Sequence, residues 1–271
     1  MKTQIDNLLS RTGDIALRRR AKWILNNILE RNPMSILDGG CGDGFYLHLM
    51  SNLLPKTNLA GVDNDAKALE SAKRNLYGKK VKLINGNLLD LKFQDKTFDI
   101  ILLSEVLEHI ADDVKALKEA YRLLKPRGVV IISVPNANYP FLWDPINWVL
   151  ARVFNYHISD GFFAGIWNQH ERLYSRKQLV NLLKKTGFHN INTHVLTKYC
   201  LPFNHYLLNI CARILAKSGS TKTKQLSKFN GISEESKFGF SPFSIVFQLD
   251  QLNDLEMGGD IGVSLVAAAG R

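Results

Sequence analysis

The chain has 271 residues, 45% hydrophobic and 22% charged, with a formal charge of +10 from 35 Lys and Arg against 25 Asp and Glu. This composition excludes a wholly disordered chain. Three cysteines without paired spacing (Cys41, Cys200 and Cys211) exclude a disulfide scaffold or a zinc-finger framework and point to a reducing, cytoplasmic setting. The surplus charge gathers in residues 1–31 and 213–228, where it fits solubility, an acidic substrate, nucleic acid or an anionic membrane. The N-terminus carries Asp6, Arg11 and Asp14 before any apolar run, so it does not read as a secretory signal. The apolar stretch 199–216 is broken by Pro202, Asn204, His205, Asn209 and Arg213, so no span is expected, whereas a peripheral contact through Leu201–Leu215 is compatible with the pattern.

In chain order, Ile15, Leu17, Trp23, Ile24, Ile28 and Leu29 recur at helical spacing and predict an amphipathic helix over 15–30, ended by Asn32-Pro33. Met34–Leu37 is a short strand opening into Asp38-Gly39-Gly40-Cys41-Gly42-Asp43-Gly44. Asn58–Val62 reads as a strand, and 65–77 as a helix with Asn64 as N-cap and Gly78 as its stop. Val81–Ile84 and the continuous apolar run Phe98–Leu103 are strands, the latter of buried type. A helix is expected over 105–124, closed by Lys125-Pro126-Arg127-Gly128, and then a strand over Val129–Val134.

Residues 139–170 hold nine of the chain's 26 aromatics and read as an inserted lid. Alternation resumes with a helix from Ser175 to Lys185, marked by Ser175 and Gln178 at its start and Gly187 at its end. A strand near 190–196 and a last one near 262–268 complete the pattern. Alternating strands and helices predict a parallel sheet covered on both faces. The expected organisation is an N-terminal helical segment (1–32), a binding core (33–137), an aromatic lid (138–170), a core continuation (171–198), a second insertion (199–252) and a C-terminal strand (253–271).

The glycine-rich loop after the first strand carries the sharpest signal. Glycines there permit a tight turn and let a ligand reach the backbone. Asp63, at the end of the second strand, can accept hydrogen bonds from both hydroxyls of a ribose. The dinucleotide spacing G-x-G-x-x-G does not fit, because the third position falls on Phe45 or Leu47.

The spacing D-x-G-x-G-x-G resembles the first motif of class I S-adenosylmethionine-dependent methyltransferases. The likeness continues through Asp63, Gly86-Asn87-Leu88, Phe98-Asp99-Ile100-Ile101 and Leu124-Lys125-Pro126-Arg127-Gly128. It implies a Rossmann-like, doubly wound, seven-stranded and mostly parallel sheet with inserted lid segments, and S-adenosylmethionine as cofactor. It also implies cofactor contacts from Asp38, Gly40, Gly42, Gly44, Asp63, Asn87, Leu88 and Ser104. Asn87 stands where the family has Asp, and its amide oxygen can still accept from the adenine amino group. Arg127 stands where the family's turn has Gly.

Glu105, Glu108 and His109 follow the fourth strand at i, i+3 and i+4, which on a helix is one face. Two carboxylates and an imidazole can hold a divalent metal, or one of them can take a proton from a hydroxyl. The E-x-x-E-H pattern resembles ubiquinone-biosynthesis O-methyltransferases and, more distantly, RNA 3′-terminal 2′-O-methyltransferases. That likeness implies a metal set of Glu105, Glu108, His109 and His170. Metal, general base and a purely orienting role all stay open at this point.

The lid offers Tyr139, Trp143, Trp148 and Trp167, with His170, as walls for the acceptor, or as rings packing the lid onto the core. Aromatic walls suit a small-molecule or lipid- or quinone-like acceptor, and also a sugar. The expected function is O-methylation of such an acceptor, in the cytoplasm and in peripheral contact with a membrane. An RNA or glycan methyltransferase and a non-catalytic adenosylmethionine-binding protein are the alternatives. Nucleic acid is disfavoured because no added RNA-binding module is visible.

Overall fold

A computed structural model describes residues 2–9, 12, 14–199, 250–254 and 259–271. The second insertion expected over 199–252, and with it the apolar 201–215 stretch and the basic run 213–228, falls almost entirely outside these described residues. The chain divides into two compact units. One comprises 1–22, 135–175 and 195–265, the other 23–134, 176–194 and 266–271.

The second unit is built on a seven-stranded sheet. Its strands are β1 (Ser35–Gly39), β2 (Asn58–Asp63), β3 (Val81–Asn85), β4 (Phe98–Ser104), β5 (Leu124–Pro135), β6 (His189–Leu196) and β7 (Ser264–Gly270), in the order β3-β2-β1-β4-β5-β7-β6. The pairings from β3 through β5 are parallel. Chain order reverses between β1 and β4, the kind of place where open parallel sheets bind ligands, at the carboxyl ends of the strands. β4 is buried at Phe98 and from Ile100 to Leu103, as a strand covered on both faces must be. Asp99 staples the opposite end: its Oδ2 accepts from Met34 N, Ser35 N and Ser35 Oγ, and its Oδ1 from Lys125 Nζ at 2.9 Å. Burial pushes the Asp99 carboxyl up, but the hydrogen bonds from Lys125 and Ser35 outweigh it and hold the carboxyl below its ordinary value.

The helices of this unit include α3 (Phe45–Leu53), α4 (Ala66–Asn75), α5 (Asp113–Leu123) and α7 (Arg176–Lys185). The cap of α4 is Asp65 rather than Asn64: its side chain accepts from Lys67 N, while Asp63 Oδ1 holds Asp65 N at 2.9 Å. The helix expected over 105–124 is shorter. Glu105 has φ 55° and its N–H donates to Ser133 O at 2.9 Å, so the chain is still held by the sheet there. A single 3₁₀ turn, Leu107–His109, follows, and α5 begins only after Asp112, whose side chain accepts from Lys115 N. The Lys125–Gly128 turn is an irregularity within β5. Pairing with β4 jumps from Phe98↔Leu124 to Ile100↔Val129, with Arg127 at φ 68°.

The first unit contains α1 (Lys2–Leu8), the 3₁₀ segment Phe162–Trp167, α6 (Pro145–Val153) and the start of a helix, α2 (Ile15–Leu29), that continues into the second unit. Its core gathers Ala16, Tyr139, Trp143, Ile166, Leu173 and Val263. Asp144, fully buried, caps α6 by accepting from Asn147 N, and also accepts from Asn147 Nδ2 (2.9 Å) and Ile166 N (3.0 Å). Asn147 in turn donates to Phe163 O and accepts from Ile158 N. Gly165, at φ 54°, lies against this knot: a Cβ there would stand 1.8 Å from Asp144 Oδ2.

Candidate active site

The turn after β1 owes its shape to its glycines. Gly40 and Cys41 both donate to Val62 O, at 2.7 and 3.0 Å. Gly40 has φ 74°, and a Cβ there would lie 2.5 Å from Val106 Cγ2, so any side chain would collide with the segment that follows β4. Gly42 (φ 53°) is the contrary case: a Cβ would meet nothing within 4 Å. Its glycine answers to backbone conformation, and the space above it lies open to a ligand. Gly44 (φ 85°) caps the start of α3.

Asp63 binds the loop from the neighbouring strand. Its Oδ2 accepts from Gly42 N at 2.8 Å and its Oδ1 from Asp65 N at 2.9 Å. Each oxygen keeps a second lone pair, so a diol can still be received there. Asp38 is different. It is 2% exposed, and its Oδ2 has no hydrogen-bond partner among the described residues. Burial, then the charges of Asp63 and Asp43, push its carboxyl up to about 8. Burial also pushes the Cys41 thiol up, with Asp38 and Asp63 adding to it, so Cys41 is an inert packing residue and not a nucleophile.

Asn87 has its amide oxygen engaged by Leu89 N at 2.9 Å, which leaves one lone pair and the amide N–H₂ for an adenine edge. Leu88 packs on Gly39, where its Cδ2 would be 2.8 Å from an added Cβ.

At the ends of β4 and β5 a chain of hydroxyls leads to Glu105. Ser104 Oγ donates to Tyr46 OH at 3.2 Å and lies 2.8 Å from Ser133 Oγ, which donates to Glu105 Oε1 at 3.2 Å. The register Ser104↔Ser133 sets this chain. Sequence reasoning missed Tyr46 and Ser133; a lone serine in the apolar run Val129–Val134 was the available signal.

Glu108 is completely buried, whereas the adjacent His109 is exposed. The one-face helical argument for Glu105, Glu108 and His109 does not hold, because Glu105 lies outside any helix. Its ligand atoms do not join those of Glu108 and His109 within 4.8 Å as a three-ligand group. His170 belongs to the first unit, where its Nδ1 lies 2.5 Å from Ile166 O. Tyr139 and Trp143 bury their rings in that unit's core, at 2% and 5% exposure, while Trp148 and Trp167 are only partly buried against it. Arg152 stands over Trp148 at 4.2 Å from the ring centroid, and His157 stacks on Trp167 at 3.8 Å.

A family model described as a methyltransferase domain matches residues 30–200. The chain belongs to this family, and with it to the S-adenosylmethionine-dependent methyltransferases. A demethylmenaquinone methyltransferase of Thermotoga maritima is 26% identical over 68% of this chain and 81% of its own length. One from Staphylococcus aureus is 30% identical over 47% of this chain and 53% of its own length. An uncharacterized 37.1 kDa protein in a Streptomyces fradiae transposon is 30% identical over 52% of this chain, which spans 42% of that relative. Among solved structures, a SAM-dependent methyltransferase from Archaeoglobus fulgidus shares the fold at a TM-score of 0.54 and 14% identity, covering 97% of both chains. Phosphoethanolamine N-methyltransferase 2 of Haemonchus contortus, in complex with S-adenosyl-L-methionine, does so at 0.55 and 20%, covering 91% of this chain and 51% of its own.

The residues present fit that cofactor. Asp63 can receive the ribose diol, and Gly42 leaves the backbone approachable. The orphaned Asp38 oxygen asks for a buried donor of positive charge, as an amino-acid ammonium is. Bound there, the cofactor supplies a methyl group made electrophilic by its sulfonium. What the chain's own residues can add is position, from which much of the rate of an in-line transfer can come.

Proposed function

We propose that this protein methylates a hydroxyl oxygen of an apolar, ring-bearing small molecule of the lipid or quinone kind, working in the cytoplasm and in peripheral contact with a membrane. The observation that carries the methyl-transfer half is the pair Asp38 and Asp63 around an open glycine turn, since it presents one unsatisfied buried acid and one carboxylate with lone pairs to spare. The acceptor class is supported by the names of the relatives, demethylmenaquinone methyltransferases, which bear on the kind of acceptor and not on the atom methylated. It is also supported by the apolar side chains that 141–163 exposes, among them Phe141, Val153, Phe154 and Phe163. No described helix is long and apolar enough to cross a membrane, so contact would be at the surface.

His109 is accessible and can take the acceptor's proton as the oxygen–methyl bond forms. Glu105, held by Ser133, orients the acceptor hydroxyl toward the methyl group. The test is transfer of labelled methyl from adenosylmethionine to demethylated quinols, phospholipids, sugars and RNA offered in parallel. Incorporation into the quinol fraction, at an oxygen and lost in His109→Gln, is expected. Label only in RNA or sugar, or turnover abolished by chelator, would replace this reading. Cofactor binding with no transfer to any of them would leave a non-catalytic binding protein.

A further inference from the structure

At the amino ends of β4 and β5, on the far side of the sheet from Asp38 and Ser104, two cavities adjoin within the second unit. One, of about 380 Å³, is lined by Arg31, Asn32, Met34, Asp99, Arg127 and Val129 among others. The other, of about 270 Å³, is lined by Arg31, Arg127, His189, Asn190, Asn192 and Arg271 among others. They share the wall Arg31–Arg127–Val129. Val129 pairs with Ile100, whereas Ser133 pairs with Ser104; those four residues along β5 place the cavities roughly 13 Å from the site of methyl transfer.

Three arginines are among the residues that line this groove, and the one Asp or Glu in its lining, Asp99, is already held by Lys125, Ser35 and Met34. No Asp or Glu side chain lines the second cavity. Two of the arginines are anchored by their own hydrogen bonds: Arg31 Nη1 donates to Asn27 O, and Arg271 Nη1 to Arg122 O. Arg127 is exposed, and its side chain makes no hydrogen bond or ion pair with the described residues; the amides of Asn190 and Asn192 are in the same state. Arg127 is also held at φ 68°, a backbone state that an L side chain adopts at a cost. Arg127 at the shared wall is thus strained and has no acceptor among the described residues, while Arg31 and Arg271, each held by backbone carbonyls, add fixed positive charge beside it, and the amides of Asn190 and Asn192 add donors.

We propose that this groove is a binding site for a phosphate-bearing ligand, distinct from the methyl-transfer site. Three positive charges call for more than a monocarboxylate, whereas a phosphate monoester brings about two negative charges and three acceptor oxygens that match guanidinium forks. The phosphate can come from a soluble phosphorylated molecule or from an anionic lipid headgroup, and the two are separable by experiment.

The whole protein is titrated with inorganic pyrophosphate at low salt by calorimetry. In parallel it is sedimented with vesicles of phosphatidic acid, whose headgroup is a phosphate monoester, and with phosphatidylcholine vesicles. Arg127→Gly relaxes the backbone and so should fold; Arg31→Gln is the second variant. Saturable pyrophosphate binding that weakens roughly tenfold or more in each variant, with adenosylmethionine affinity unchanged, is the expected result and indicates a soluble ligand. Retention by phosphatidic acid vesicles alone, lost in both variants, supports the headgroup source. Absence of saturable binding to either, binding indifferent to both substitutions, or capture of RNA or an acidic peptide without pyrophosphate binding, overturns the proposal.

Discussion

The two most deeply buried aspartates among the described residues, Asp38 and Asp144, lie one in each unit, and their surroundings differ in kind. Asp144 is wrapped by donors from its own neighbourhood: Asn147 N, Asn147 Nδ2 and Ile166 N all point at it. Asp38 leaves one oxygen with nothing to accept, and burial raises its carboxyl to about 8. A buried carboxylate whose donors come from the fold is architecture. One whose donor is missing is a place where the fold is incomplete until something cationic arrives.

The largest test of that contrast is Asp38→Asn. An unfolded Asp titrates near 3.9, so above that pH the unfolded chain loses a proton that the folded chain keeps. The wild type therefore loses stability as pH climbs from about 4 to about 8, by up to ~5 kcal/mol. The amide does not ionise. Thermal melts across this range should find Asp38→Asn more stable than wild type at pH 8, with the advantage fading toward pH 4. An asparagine variant that is the less stable protein at pH 8 would break the comparison. The same variant should bind adenosylmethionine poorly. In the wild type, cofactor affinity should rise by up to about tenfold per pH unit below 8, because the bound cation needs the ionised carboxyl. An affinity flat between pH 6 and 8 would detach Asp38 from the cofactor.

Asp144→Ala should act in the opposite sense. It strands buried donors on Asn147 and Ile166, and at about 1–3 kcal/mol for each unsatisfied group the loss should be roughly 3 kcal/mol. Hydrogen exchange should show faster opening across 144–166, with no change in cofactor affinity. Gly165→Ala should mimic it, since the added Cβ would have to displace Asp144.

How far the sequence shows this is uneven. Apolar runs such as Ile100–Leu103 mark the strands. The glycine spacing with Asp63 marks the loop, because both patterns are local. The error over 105–124 has a local cause too: E-x-x-E-H carries helical spacing, but Ser133 O takes the Glu105 N–H, and that pairing depends on the register of two distant strands. Asp112 and Asp113 ahead of Val114 already offered a later cap. Tyr46 and Ser133 escaped notice for the same reason as the true place of Glu105. Composition alone cannot tell that Tyr139 and Trp143 are core rings while Trp148 and Trp167 keep some surface, since burial depends on Ile166 and Val263, far along the chain.

Asp63→Ala sharpens the comparison on the binding side alone. The carboxylate is partly exposed, so water can take over the Gly42 and Asp65 amides that it releases, and its removal should cost folding less than removal of the buried Asp144. Cofactor affinity should fall by about 1.5–3 kcal/mol, the scale of hydrogen bonds to a charged group. Calorimetry with adenosylmethionine reads this directly. An unchanged affinity would shift the ribose contact elsewhere.

The smallest effect is expected at Arg127, where strain rather than burial marks an unused donor. An L residue in the left-handed region gives up about 1–2 kcal/mol, and glycine is free of that penalty. Glycine also loosens the unfolded chain, which returns about 0.4–1 kcal/mol of the gain. Arg127→Gly should therefore stabilise the protein by only about 0.5–1 kcal/mol, a rise of roughly 1–4 °C in melting temperature for a chain of this size. A residue retained for packing would destabilise on removal, but Arg127 is exposed and its side chain makes no hydrogen bond or ion pair with the described residues. If the variant melts higher and binds pyrophosphate less well, the strain at φ 68° is the cost of holding a guanidinium in the groove, as Asp38's raised carboxyl is the cost of waiting for a cation. If it melts lower, Arg127 supports the bulge in β5, and its backbone geometry reflects the Phe98–Ile100 register jump rather than a ligand.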